Sequence, residues 1–171
     1  MPDITTVLAR RRVPLGFLFG VAILWLAQPT VRSLEVGGAI ALAGEALRVW
    51  AAGHLEKGRE VTRSGPYRLT SHPLYIGSAL IGAGLAVAAA RTSVVVAVAV
   101  YLACTIGAAI RHEEANMRAA FGDEYDAFLQ SRGRPVARAF SLERAMRNKE
   151  YRAIAGLILV GALLAVKAGY P

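Results

Sequence analysis

PLYIGSALIGAGLAVAAARTSVVVAVAVYLACTIGAAIRHEE, residues 73–114, is a pair of apolar runs interrupted only by Arg91, Thr92 and Ser93. Neither run alternates with the period of two that a membrane barrel strand needs. In lipid every backbone polar group must be paired within its own segment, which leaves the helix. Two helices joined by so short a connection fold back as an antiparallel hairpin, and their open ends then lie side by side. The polar stretch GPYRLTSHPLY (65–75) at the start of the first helix therefore meets IRHEEANMR (110–118) at the end of the second.

The rest of the chain extends this reading. With 171 residues there is room for one domain, and 55% hydrophobic residues with a positive mean hydropathy are too many for a soluble fold of that size. Apolar stretches at about 13–29, 34–54, 73–90, 94–110 and 153–169 are each near the roughly 17–25 residues that cross hydrocarbon. The expectation is an all-α polytopic integral membrane protein with about five transmembrane helices, residues 1–171 forming a single membrane domain. The fifth stretch is the weakest, being short. The N-terminus superficially fits a signal peptide, but its apolar core is long and no A-x-A-like site follows, so it reads as a retained first span.

Charge sets the orientation. Arg10, Arg11 and Arg12 place the N-terminus in the cytoplasm by the positive-inside rule. Lys57, Arg59, Arg63 and Arg68 between the second and third stretches, and the basic run from Arg111 to Arg152 between the fourth and fifth, fall on the same side. The formal charge of +8 is thus spent between apolar blocks, which argues against a nucleic-acid partner. The single cysteine, Cys104, excludes an intrachain disulfide and reads as a small buried hydrophobe.

The two polar clusters are where chemistry is expected. Gly65 and Pro66 favour a turn, Ser71 or His72 suits a helix N-cap, and Pro73 suits the first helical position, so free N–H groups there can receive an anion. Read structurally, Tyr67 and Tyr75 are interfacial aromatics and His72 a cap. Arg111, His112, Glu113 and Glu114 similarly fit a charged helix end, followed by NMRAAFGDEYDAFL as an amphipathic helix or helix-turn-helix. Brought together by the hairpin, the two clusters form a pocket. Glu45 and Arg48, three apart, are expected to neutralise each other within the second helix. The Gly and Ala residues of 77–90 are expected to let helix backbones approach closely. There is no metal-ligand spacing among His54, His72 and His112, no G-x-S-x-G elbow and no phosphate loop, so no metal is expected.

RSGPYRLTSHPLYIG, the hairpin, the paired glutamates and FGDEY together resemble the isoprenylcysteine carboxyl methyltransferase and phospholipid methyltransferase superfamily of integral membrane enzymes, over about residues 55–135. The resemblance implies that 55–135 forms a cofactor-binding core on the cytoplasmic side and that the methyl donor is S-adenosyl-L-methionine. It implies cofactor contacts from Glu60, Val61, Thr62, Tyr67, His72, Pro73, Leu74, Tyr75 and Glu113. Arg111 takes the part of an arginine near the lipid substrate, although that arginine usually stands where this chain has Ala109. Ser71 replaces an arginine that many relatives place before His-Pro. The expected acceptor is lipophilic, the carboxylate of a prenylated or isoprenoid-like molecule, reached among membrane lipids. An amine acceptor would need a base, for which His72, His112 or Glu114 is available. The alternatives are a phospholipid amine N-methyltransferase, a membrane scaffold or transporter, and an NADPH-dependent reductase of the sterol type. The oligomeric state is left open.

Overall fold

The computed structural model describes residues 19–130 and 136–169, and every regular element within them is helical. Residues 19–26 form α1. Then come α2 (Val31–Ala52), a 3-10 turn (Gly65–Arg68), α3 (Pro73–Ala88), α4 (Thr92–Phe121), α5 (Asp123–Leu129), α6 (Leu142–Arg147) and α7 (Tyr151–Gly169). The all-α expectation holds for the described residues. Residues 13–18 of the first expected span, the arginines at 10–12, and Arg132 and Arg134 lie outside them.

Among the described residues two helices, α4 and α7, are long and apolar enough to cross a membrane. The apolar α3 has 16 residues, and α2, with 22, carries Arg32, Glu35, Glu45 and Arg48. The fifth stretch, expected to be the weakest, is thus one of the two strongest. Its helix starts at Tyr151 and runs 19 residues, about 28 Å at 1.5 Å per residue.

Local signals set the boundaries. Thr30 caps α2 with a reciprocal box: its Oγ1 accepts from Ser33 N at 3.1 Å while Thr30 N donates to Ser33 Oγ at 2.9 Å. Pro73 opens α3 directly after His72, as the spacing predicts. Gly122, with φ of 48° in the region that favours glycine, breaks α4 from α5. The helix-turn-helix expected beyond residue 114 is therefore present, with its turn at Gly122.

Small residues join α2 to α3. A methyl group at Gly37 would fall on the Gly84 carbonyl and Ala88, and one at Gly44 on the Gly77 carbonyl and Ile81. The glycines of α3 thus mainly serve α2; Gly82 is the one set against α4, at Leu102. Cys104 is exposed, correcting the expectation of a buried thiol. The buried residues of α4 are Val94, Val98, Ala108 and Ala109, and Cys104 lies off that face even though its neighbours are all apolar.

The bundle has two unlike ends. At the hairpin turn, Gln28 N donates to Ala89 O at 2.8 Å and Ser33 Oγ to Ala88 O at 3.0 Å, over a core of Ala27, Ala89, Val94, Val98 and Leu164. Lys167 Nζ donates there to Leu24 O and Trp25 O, carbonyls that a helix end leaves unpaired. At the other end, side chains from 138–148 donate to the carbonyls at and just beyond the end of α2. Asn148 Nδ2 donates to Ala52 O and Leu55 O, each at 2.9 Å, Arg144 to Gly53 O, and Arg138 to His54 O at 3.2 Å. Arg144 and Arg138 also pair with Glu56 at 2.7 Å and Glu60 at 2.6 Å. This clamp fixes the loop that leads to the 3-10 turn.

Candidate active site

His72 is the N-cap residue of α3, yet its side chain makes no capping bond. Its ring crosses to α4 instead, with Nε2 3.2 Å from Glu114 Oε1, joining residues 42 positions apart. The hairpin makes this contact because α4 has 30 residues, about 45 Å of helix against a hydrocarbon core of about 30 Å, so its last turns stand beyond the apolar run. The other Glu114 oxygen is 3.4 Å from Arg118 Nη1, and Arg118 Nε is 3.0 Å from Asp126 Oδ1 on α5. A polar chain thus runs from His72 through Glu114 and Arg118 to Asp126. The loop before the 3-10 turn is tied to α5 as well, by Arg63 Nη2 to Glu124 Oε1 at 3.1 Å.

Aromatic residues surround this chain. Tyr75 lies with its ring centroid 5.9 Å from that of His72, and Tyr67 is buried in the 3-10 turn. Burial pushes the Tyr67 hydroxyl well above its ordinary value, and the charge of Glu113 adds to the effect. Tyr125, buried on α5 with the Arg118 guanidinium 6.0 Å from its ring centre, is pushed up to about 12 by burial and then by Glu114 and Glu113. Both phenols stay protonated at neutral pH.

The residues singled out from sequence divide into groups. Tyr67, His72, Tyr75, Glu113 and Glu114 gather at this end. Pro73 is buried at the head of α3, and Leu74 contributes a carbonyl that accepts from Ser78 Oγ at 2.9 Å. Val61 and Thr62 are buried in the loop, Thr62 Oγ1 accepting from Glu56 N at 3.2 Å, while the Glu60 carboxylate is turned to Arg138. Arg111 is exposed on α4 and makes no hydrogen bond or ion pair among the described residues. The expected Glu45–Arg48 ion pair is present at 3.9 Å, but the arginine is shared, its Nε lying 2.6 Å from Glu150 at the foot of α7. Glu150 is remote in sequence, so helix spacing alone gave no sign of this second, closer carboxylate.

Sequence reasoning missed Arg118, Tyr125 and Asp126. A signal existed: Arg118 follows Glu114 by four, a pairing distance on a helix. The partner on α5 had none.

Chemically, the pair has the arrangement that a base and its orienter require. With its proton on Nε2 toward Glu114, the His72 ring presents a lone pair at Nδ1, and that atom is buried without a partner. Beside it, the first N–H groups of α3 lack a side-chain cap.

The phospholipid methyltransferase family matches residues 17–124, well over half of the chain, and the chain belongs to that family. The matched span runs through the 3-10 turn, the hairpin and both members of the His72–Glu114 pair. Membership carries methyl transfer to a lipid-type substrate. Comparison with curated proteins and with solved structures gives no match.

Proposed function

We propose that the chain transfers a methyl group from S-adenosyl-L-methionine to the amine of a phospholipid headgroup, at the polar end of the bundle. The supporting observation is the 3.2 Å contact of His72 with Glu114, which makes one site of two distant segments. The residues suit the donor: an uncapped helix start for its polar groups, the rings of Tyr67 and Tyr75 for its flat part, and Glu113 for its cationic centre. When bound, S-adenosyl-L-methionine supplies an electrophilic methyl group on a sulfonium. The chain has to hold the acceptor in line with it and needs no covalent residue.

Glu60, Val61, Thr62, Tyr67, His72, Pro73, Leu74, Tyr75 and Glu113 hold the cofactor, within a core spanning 55–135. Glu114 orients His72, and the pair takes the proton that an ammonium must lose before its nitrogen can attack. That pair, with the family match, moves the amine ahead of the carboxylate acceptor expected from the wider resemblance. One observation favours the carboxylate as a second reading: the unpaired Arg111 is a ready partner for an anionic headgroup. The arrangement goes with five spans, the N-terminus and the site being cytoplasmic, so that donor and acceptor arrive from different phases.

Calorimetric titration of the purified, folded protein with S-adenosylhomocysteine and with NADPH tests the reading. Heat with the first and none with the second is expected. No heat with the first sinks it. Tritiated donor supplied with phosphatidylethanolamine or with a prenylcysteine then decides between amine and carboxylate.

A further inference from the structure

Away from the His72–Glu114 pair, α2 and α7 enclose an apolar groove of about 400 Å³, inside the range of about 300–1,000 Å³ typical of small-molecule sites. Leu42, Ile154, Leu157 and Ile158 form much of its wall. Two glycines leave it open: a methyl group at Gly38 or Gly161 would meet nothing, whereas Gly37 and Gly44 on the same helix are pressed against α3.

Glu45 is the one ionisable side chain in the lining, among the described residues. It is 7% exposed, and neither carboxylate oxygen has a hydrogen-bond partner. The nearby guanidinium is already engaged, since Arg48 Nε sits 2.6 Å from Glu150 and 3.9 Å from Glu45. Two buried carboxylates thus share one arginine, and the groove lacks a donor of positive charge at its polar corner. A buried carboxylate that accepts no hydrogen bond and only shares a distant counter-charge is unfavourable.

We propose that this groove seats a membrane lipid with a protonated amine in its headgroup, the ammonium donating to Glu45 and the chain lying along Leu42, Ile154, Leu157 and Ile158. Charge complementarity selects that occupant. An anionic head would face the Glu45 carboxylate, and a neutral chain or an apolar helix of a second copy would cover Glu45 without supplying a donor. The site does not depend on methyl transfer.

The test uses the full chain in nonionic detergent without any methyl donor. Native mass spectrometry follows binding of hexadecylamine, hexadecanol and hexadecyl sulfate, with helicity recorded for each variant. A single amine per chain is expected to bind at least about tenfold more tightly than the alcohol or the sulfate, the gain from one charge-assisted hydrogen bond. Glu45→Gln removes the preference, and Gly38→Leu, whose new side chain enters open space in the groove, weakens binding of all chains. Equal affinity for the three ligands, an amine preference that survives Glu45→Gln, or undiminished binding to Gly38→Leu in a fully helical protein overturns the proposal. The methyl-transfer reading is untouched by either result, because no donor is present.

Discussion

Arg48→Met should be the most destabilising single change at the polar end of the bundle. The arginine ties three helices together: Nε pairs with Glu150 at the foot of α7, and Nη1 donates to Ser78 Oγ and the Leu74 carbonyl on α3. Methionine keeps much of the stem that packs by Gly77 and deletes the charge. Glu150, with its side chain 5% exposed, is then a buried carboxylate without its counter-charge. Removing one partner of a buried pair costs about 3–5 kcal/mol. Because Arg48 is itself 20% exposed, water can reach the site and the lower end, about 3 kcal/mol, is expected. Glu150→Gln separates the charge effect from lost packing. If the pair acts as a unit, the double variant loses less than the sum of the singles by about 1–3 kcal/mol. Equilibrium unfolding in detergent micelles, followed by helicity, measures the cycle. A loss below about 1 kcal/mol for Arg48→Met, or simple additivity with Glu150→Gln, would refute the three-helix tie.

Other consequences follow from the same geometry. His72→Ala and Glu114→Gln should each lower methyl transfer to an amine by about a hundredfold or more with helicity retained, the scale of a lost general base; unchanged turnover in both removes the pair from the mechanism. Gly77→Leu should part α2 from α3, since the added Cβ meets the Gly44 carbonyl and the Arg48 stem, at a cost of about 1–3 kcal/mol; native-like unfolding would show that the seam is slack. Acid should weaken the loop after α2. Burial, followed by Arg144 and Arg138, holds His54 below its ordinary 6.5, so the folded state binds its proton less well than the unfolded chain does. That contribution is present above pH 6.5 and is lost as pH falls from there through the folded value. His54→Gln should flatten the melting curve in that window, and an identical slope in both proteins would assign the acid sensitivity elsewhere.

How legible the site was depended on the distance over which each interaction acts. Pro73 and His72 announced a helix start because capping chemistry is local, and three residues between apolar runs left no topology but a hairpin. The meeting of His72 with the glutamates followed from that topology alone. The choice of Glu114 over Glu113 as the partner did not, because adjacent residues on a helix differ by 100° and the facing depends on how α4 packs. The basic run at 138–149 was legible as charge and illegible as a clamp on the end of α2.

What the sequence determined by itself was helical character, the hairpin and the gathering of polar residues at one end, because backbone pairing in lipid and short connections permit little else. The tertiary structure alone decided which side chains meet: Arg48 with Glu150, Arg118 with Asp126, and Glu45 left without a hydrogen bond. Those pairings depend on the rotation of each helix about its axis. That rotation is set by where small residues let α2 sink against α3, a contact between segments that carry no mark of each other in the chain.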